Sequence, residues 1–190
     1  MNPSELPARA AQTMRTIIDA IKPDQLDAPT PCREFDVRAL ISHLLHWSPV
    51  LEGAGNKKPT PALDGPETGH TPDDWARVLE SRVTATADAW SAPAAWTGSA
   101  PFDTGELPAH LAGGMVITEL VIHGWDLAKA TAQQPIWDND LLGYLYDETK
   151  NTAETGRQMG IYGPEVPVLS ASSLIDRIVA LTGRDPHWKP

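Results

Sequence analysis

The chain of 190 residues holds a single cysteine, Cys32. A framework of intrachain disulfides is therefore excluded, because each bridge needs two thiols. Positive charge is also scarce: 15 Lys and Arg stand against 25 Asp and Glu, a formal net charge of −10. A nucleic-acid backbone or an anionic membrane needs a basic face, so neither is expected as the main partner. No apolar run approaches the roughly 20 residues of a membrane-spanning helix. The N-terminal MNPSELPARAAQTM lacks the basic-then-apolar layout of a signal peptide, and the expectation is a cytoplasmic protein. Aromatic residues other than tryptophan are few, two Phe and three Tyr beside seven Trp.

What remains is an ordinary globular composition, 41% hydrophobic and 21% charged. Its length suits one domain spanning 1–190 with a real core. Eighteen Pro and fourteen Gly punctuate it into helices and loops. Leu6, Ala10, Met14, Ile17, Ile18 and Ile21 form a helical stripe that Pro23 stops. Asp36 is a natural N-cap for a second helix running to about Leu51, with Phe35 and Leu40 placed as a hydrophobic staple. A Pro/Gly-rich loop over 52–70 follows, and a loop of that length is often functional. Thr71, with Pro72 behind it, is expected to cap a third helix ending near Trp90. Residues 91–107 read as irregular or as a short hairpin. A fourth helix starts near Pro108, Asp138 caps a fifth, and a last short helix ends at Gly183. With no strand pattern longer than a few residues, the fold class is all-α, and four main helices with short satellites suggest a bundle.

The fourth helix contains ELVIHGWDLAKA, apolar nearly all the way round yet carrying Glu119, His123 and Asp126. At about 100° per residue these three side chains fall within a stripe roughly 60° wide. On the second helix His43 shares a face with Ala39, Leu40, Trp47 and Val50, so it is expected to point inward; His46 lies roughly 60° off that face. Burying such groups needs compensation. Two readings stand side by side. In one, His43 from a facing helix joins Glu119 and His123 around a divalent cation, with Asp126 and His46 as its neighbours. In the other, Glu119 and His123 are a metal-free buried hydrogen-bonded pair, since Glu-x-x-x-His arises often by chance.

Further segments bear on this choice. TPCREFDVRALISHLLHW and ELVIHGWDLAKATAQ, followed by YGPEVPV and DRIVALTGRDPHW, resemble the actinobacterial metal-binding proteins related to the N-terminal domain of mycothiol-dependent maleylpyruvate isomerase, within the DinB-like superfamily. The resemblance runs from about residue 5 to the C-terminus. It implies a DinB-like four-helix bundle of up-down-down-up order, with short additional helices and long Pro/Gly-rich loops. It also implies a divalent metal on His43, Glu119 and His123, zinc before nickel, iron or manganese. Mycothiol is the implied cosubstrate, and a small-molecule thiol and an electrophile are the implied partners. The maleylpyruvate isomerase carries a second, C-terminal domain that these residues do not include, so the expectation is thiol chemistry in general.

A divalent cation with an open position can hold a thiol as thiolate or activate water. The expected activity is therefore a mycothiol-dependent transferase or isomerase acting on a small electrophile. Alternatives are a non-catalytic metal-binding or stress-related protein, and a hydrolase using metal-bound water. Cys32, just before a helix N-terminus, reads first as a turn residue packed on the bundle and second as a nucleophile. Trp125, opposite the ligand line, reads as core or as a contact in a homodimer. Tyr162, Arg33 and Arg157 are candidate substrate contacts.

Overall fold

A computed structural model describes residues 2–59, 63, 65–68, 71–102 and 105–190. The helices are α1 (Leu6–Ala20), α2 (Val37–Gly55), α3 (Trp75–Ala89), α4 (Ala109–Thr118), α5 (Gly124–Ala130), α6 (Asn139–Gln158) and α7 (Leu174–Leu181). Between α4 and α5 the backbone continues through a π-helical turn, Glu119–His123. The expectation of a mostly helical molecule holds. Among the described residues the sheet is one antiparallel hairpin, β1 (Ser99–Phe102) with β2 (Gly105–Pro108).

The stripe on α1 is buried as its spacing requires: Leu6, Met14 and Ile17 are fully inaccessible. They meet Leu40 and Ile41 of α2, Leu79 of α3, Ile117 of α4, Leu127 of α5 and Leu141 and Leu145 of α6 in one core. Helix α1 lies along α3 and the π turn, α2 lies along α3 and α4, and α6 contacts α4 and α7. Tryptophan supplies much of the bracing. The Trp90 indole donates to the Leu51 carbonyl at 2.8 Å, and the Trp96 indole donates to the Trp90 carbonyl at 2.8 Å. Their rings meet edge-on at 5.3 Å. Trp125 is core, 5% exposed, with the Lys129 ammonium 5.3 Å from its ring centre.

The fourth helix starts at Ala109, next to Pro108 as expected, and two of the three expected capping residues hold. Asp36 accepts from the Ala39 amide at 2.8 Å, and Asp138 accepts from the Leu141 amide at 2.9 Å. The third does not: α3 begins at Trp75, and Thr71 is no cap. Its hydroxyl is taken by α2, 2.7 Å from Ser42 Oγ and donating to the Arg38 carbonyl at 3.3 Å. Helix α2 runs one turn further than expected, through Pro49 to Gly55. The loop expected over 52–70 therefore starts later, and its residues 60–62, 64, 69 and 70 lie outside the described residues.

Candidate functional site

Helix α2 and the π turn face each other across the core, and their polar residues meet. His43 Nε2 lies 3.3 Å from Glu119 Oε2, and His123 Nε2 lies 3.5 Å from the same oxygen. The two imidazole rings are 4.9 Å apart, nearly perpendicular. One ligand atom from each of His43, Glu119 and His123 falls within 4.8 Å of the others. The wider π turn brings positions four apart closer to alignment than an α-helix does. Such turns occur often at functional sites.

Each histidine has its outer nitrogen engaged by a carboxylate. His123 Nδ1 is 3.0 Å from Asp126 Oδ2. His43 Nδ1 is bonded to Glu67 Oε1, which also accepts from the Trp47 indole at 2.8 Å. If each Nδ1 carries the shared proton, the two Nε2 lone pairs and the Glu119 carboxylate point at one another. Three acceptors in one place repel unless a cation lies among them.

The separations suit a metal. Atoms held about 2.1 Å from a tetrahedral centre lie ~3.4 Å apart. The observed 3.3 and 3.5 Å bracket that value. Both exceed the roughly 2.7–3.2 Å of a good N–H···O bond. Charge is consistent too: Arg184 is bonded to Asp126 and its charge reaches Glu119, while Glu67 is bonded to His43 and Trp47. The donor set therefore fits a divalent cation. Of the side chains, 13% of His43, 26% of Glu119 and 10% of His123 is accessible.

The other expected residues divide. Asp126 is fully buried beside His123, as its spacing suggested. His46 is not part of the His43–Glu119–His123 cluster; its ring meets Trp47 edge-on at 5.5 Å. Arg157 is spent on Glu154 and on the Leu181 carbonyl at 3.1 Å, and Arg33 is exposed. Tyr162 is close: burial followed by the Glu119 charge raises its pKa, with Arg184 and Thr118 opposing. Cys32 has an atom within 4.8 Å of His123 and Asp126. Burial raises its pKa to about 11, with Arg184 opposing and Asp126 adding, so the thiol stays protonated near neutral pH.

Sequence reasoning missed Glu67 and Arg184. Glu67 sits in the long loop expected over 52–70, and no periodicity singles out one of its residues. Arg184 sits far from Asp126 along the chain, and only the tertiary fold pairs them.

The family model described as the mycothiol maleylpyruvate isomerase N-terminal domain matches residues 8–128. Two uncharacterized proteins from two strains of Mycobacterium tuberculosis are each 27% identical over 141 residues, 74% of this chain and 74% of theirs. The crystal structure of the mycothiol-dependent maleylpyruvate isomerase is similar with a TM-score of 0.60 at 16% identity, covering 80% of this chain and 68% of that one. A histidine-to-alanine mutant of that isomerase matches equally. At such identity the structural likeness speaks for the fold alone. The family match spans well over half of the sequence, and by it this chain belongs to the mycothiol maleylpyruvate isomerase N-terminal domain family.

Proposed function

We propose that the protein binds a divalent cation, zinc first, through His43, Glu119 and His123, and acts there as a thiol-dependent transferase or isomerase on a small electrophile. The observation that carries this reading is the convergence of three acceptor atoms at 3.3 and 3.5 Å, with both outer imidazole nitrogens bonded to carboxylates. Carboxylate-bound histidines of this kind are the usual surroundings of a metal ligand. When bound, the cation supplies Lewis acidity that holds a thiol as thiolate near neutral pH. Asp126 and Glu67 orient the two imidazoles. Phe35, its ring 5.1 Å from that of His43, shields one side from water.

The family description makes mycothiol the first candidate for the thiol. Without a cation burial raises the Cys32 pKa to about 11, and we assign the reactive sulfur to the cosubstrate. We further read the helices as a DinB-like four-helix bundle of up-down-down-up order forming one domain over 1–190.

Protein purified without chelator should contain close to one equivalent of zinc or a related divalent metal. Replacing His43, Glu119 or His123 by Ala should cut that content sharply while circular dichroism stays helical. With cobalt(II) as a spectroscopic probe, added mycothiol should produce a thiolate charge-transfer band, unchanged in Cys32→Ser. Full metal occupancy in all three variants would sink the ligand assignment. Metal without any thiol band would favour the non-catalytic or hydrolytic alternatives.

A further inference from the structure

Arg184 lies outside the span matched by the family model, yet its guanidinium is bonded to Asp126 of the polar cluster. It is 8% exposed, and Asp126, its partner, is fully buried. The guanidinium holds both carboxylate oxygens: Nε donates to Oδ1 at 3.3 Å and Nη2 donates to Oδ2 at 3.0 Å. The same Oδ2 lies 3.0 Å from His123 Nδ1. Arg184, Asp126 and His123 thus form a line that ends at the Glu119 oxygen.

We propose that Arg184 is a positioning residue that acts through Asp126 to fix the ring plane and tautomer of His123, so that Nε2 presents its lone pair to Glu119 and His43. This rests on the reading of those three residues as cation ligands. A guanidinium donates and cannot accept, so a carboxylate gripped by its fork serves His123 as an acceptor. The shared proton then belongs on Nδ1. Two oxygens held by one planar fork also stop the carboxylate from rotating, which a single ammonium would not do.

The backbone that delivers Arg184 is itself constrained. Gly183 has φ of 87°, and a Cβ there would come within 2.6 Å of Gly163 Cα. The Gly163 amide donates to the Thr182 carbonyl at 3.2 Å, and the Arg184 amide donates to the Val179 carbonyl at 3.0 Å. Only glycine satisfies both the left-handed φ and the close approach. Arg184 therefore leaves the end of α7 on a fixed path toward the core.

The test uses the whole protein and its Arg184→Met, Arg184→Lys, Asp126→Asn and Asp126→Asn/Arg184→Met variants. Zinc affinity is measured by chelator competition, and the His123 tautomer by nitrogen NMR on metal-free protein. Arg184→Met should weaken zinc binding about 10–100-fold. It should also convert a single Nδ1–H tautomer into a mixture. Arg184→Lys should lose less, and the double variant should bind zinc no more weakly than Asp126→Asn alone, because the two residues act in series. A variant that unfolds more easily but keeps wild-type zinc affinity and tautomer would overturn the proposal. If Arg184→Met does not fold, the lysine and double variants carry the same readings, the double because it leaves no lone buried carboxylate. Wild-type protein that takes up no zinc would overturn the cation reading itself, and with it the purpose assigned to Arg184.

Discussion

Burial disfavours the His43 imidazolium, yet the Glu119 and Glu67 carboxylates outweigh it and hold its pKa above the ordinary 6.5. Burial likewise disfavours the Glu119 carboxylate, but His123, His43 and Arg184 together hold its pKa below the ordinary 4.5. A raised imidazole pKa gives stability that is complete below 6.5 and fades as pH rises through the raised value. A lowered carboxylate pKa gives stability complete above 4.5 that fades as pH falls through the lowered value. Metal-free protein should therefore draw most from this pair between pH 4.5 and 6.5. Thermal unfolding of chelator-treated wild type beside His43→Gln checks the sign. The advantage of wild type should shrink as pH rises above 6.5 and through the raised value, where the imidazolium is lost. An advantage that grows over that range would mean the carboxylates do not hold a proton on His43.

The two elements that carry His43 and Glu119–His123 were legible to different degrees. Helix α2 could be read almost in full, because its cap, staple and inward histidine are local features. Asp36 satisfies the Ala39 amide at 2.8 Å, two turns before His43. Replacing it by Ala should reduce stability by about 1 kcal/mol, whereas Asp36→Asn, which can still cap, should reduce it little. Equal losses in urea unfolding would remove the cap from the account. The second element was only partly legible. Its apolar surroundings and its Glu-x-x-x-His spacing suggested an inward polar line, but the π turn at Glu119–His123 was not visible in that spacing. A helix widens where its side chains gain more from their tertiary partners than the regular hydrogen-bond ladder would give, and those partners lie on other elements. Gly113 makes the same point: a Cβ there would come within 2.4 Å of the Trp96 ring, a contact no local pattern announces.

Across the whole molecule, a bound cation would join α2 to the segment from α4 to α5 and should stabilise the fold by mass action. Free zinc at about 100 times its Kd contributes ~2.7 kcal/mol. For a chain of this size that corresponds to a rise in Tm of roughly 5–10 °C. Wild type should show this rise and Glu119→Gln should show much less; equal rises in both would place the zinc elsewhere. Composition, apolar periodicity and capping residues by themselves determined that the chain is mostly helical, where α1, α2 and α6 begin, and which helix faces carry His43, Glu119, His123 and Asp126. These are properties of segments a few turns long, set by which side chains seek water and which backbone groups need a partner. The tertiary structure alone decided that Thr71 serves α2 instead of capping α3, that Glu67 reaches His43, and that Arg184 reaches Asp126. Those pairings join residues 24 to 58 positions apart, and their partners are chosen by how the helices stack and where loops return. No short-range signal encodes that choice, because the free energy that fixes it comes from packing the entire core.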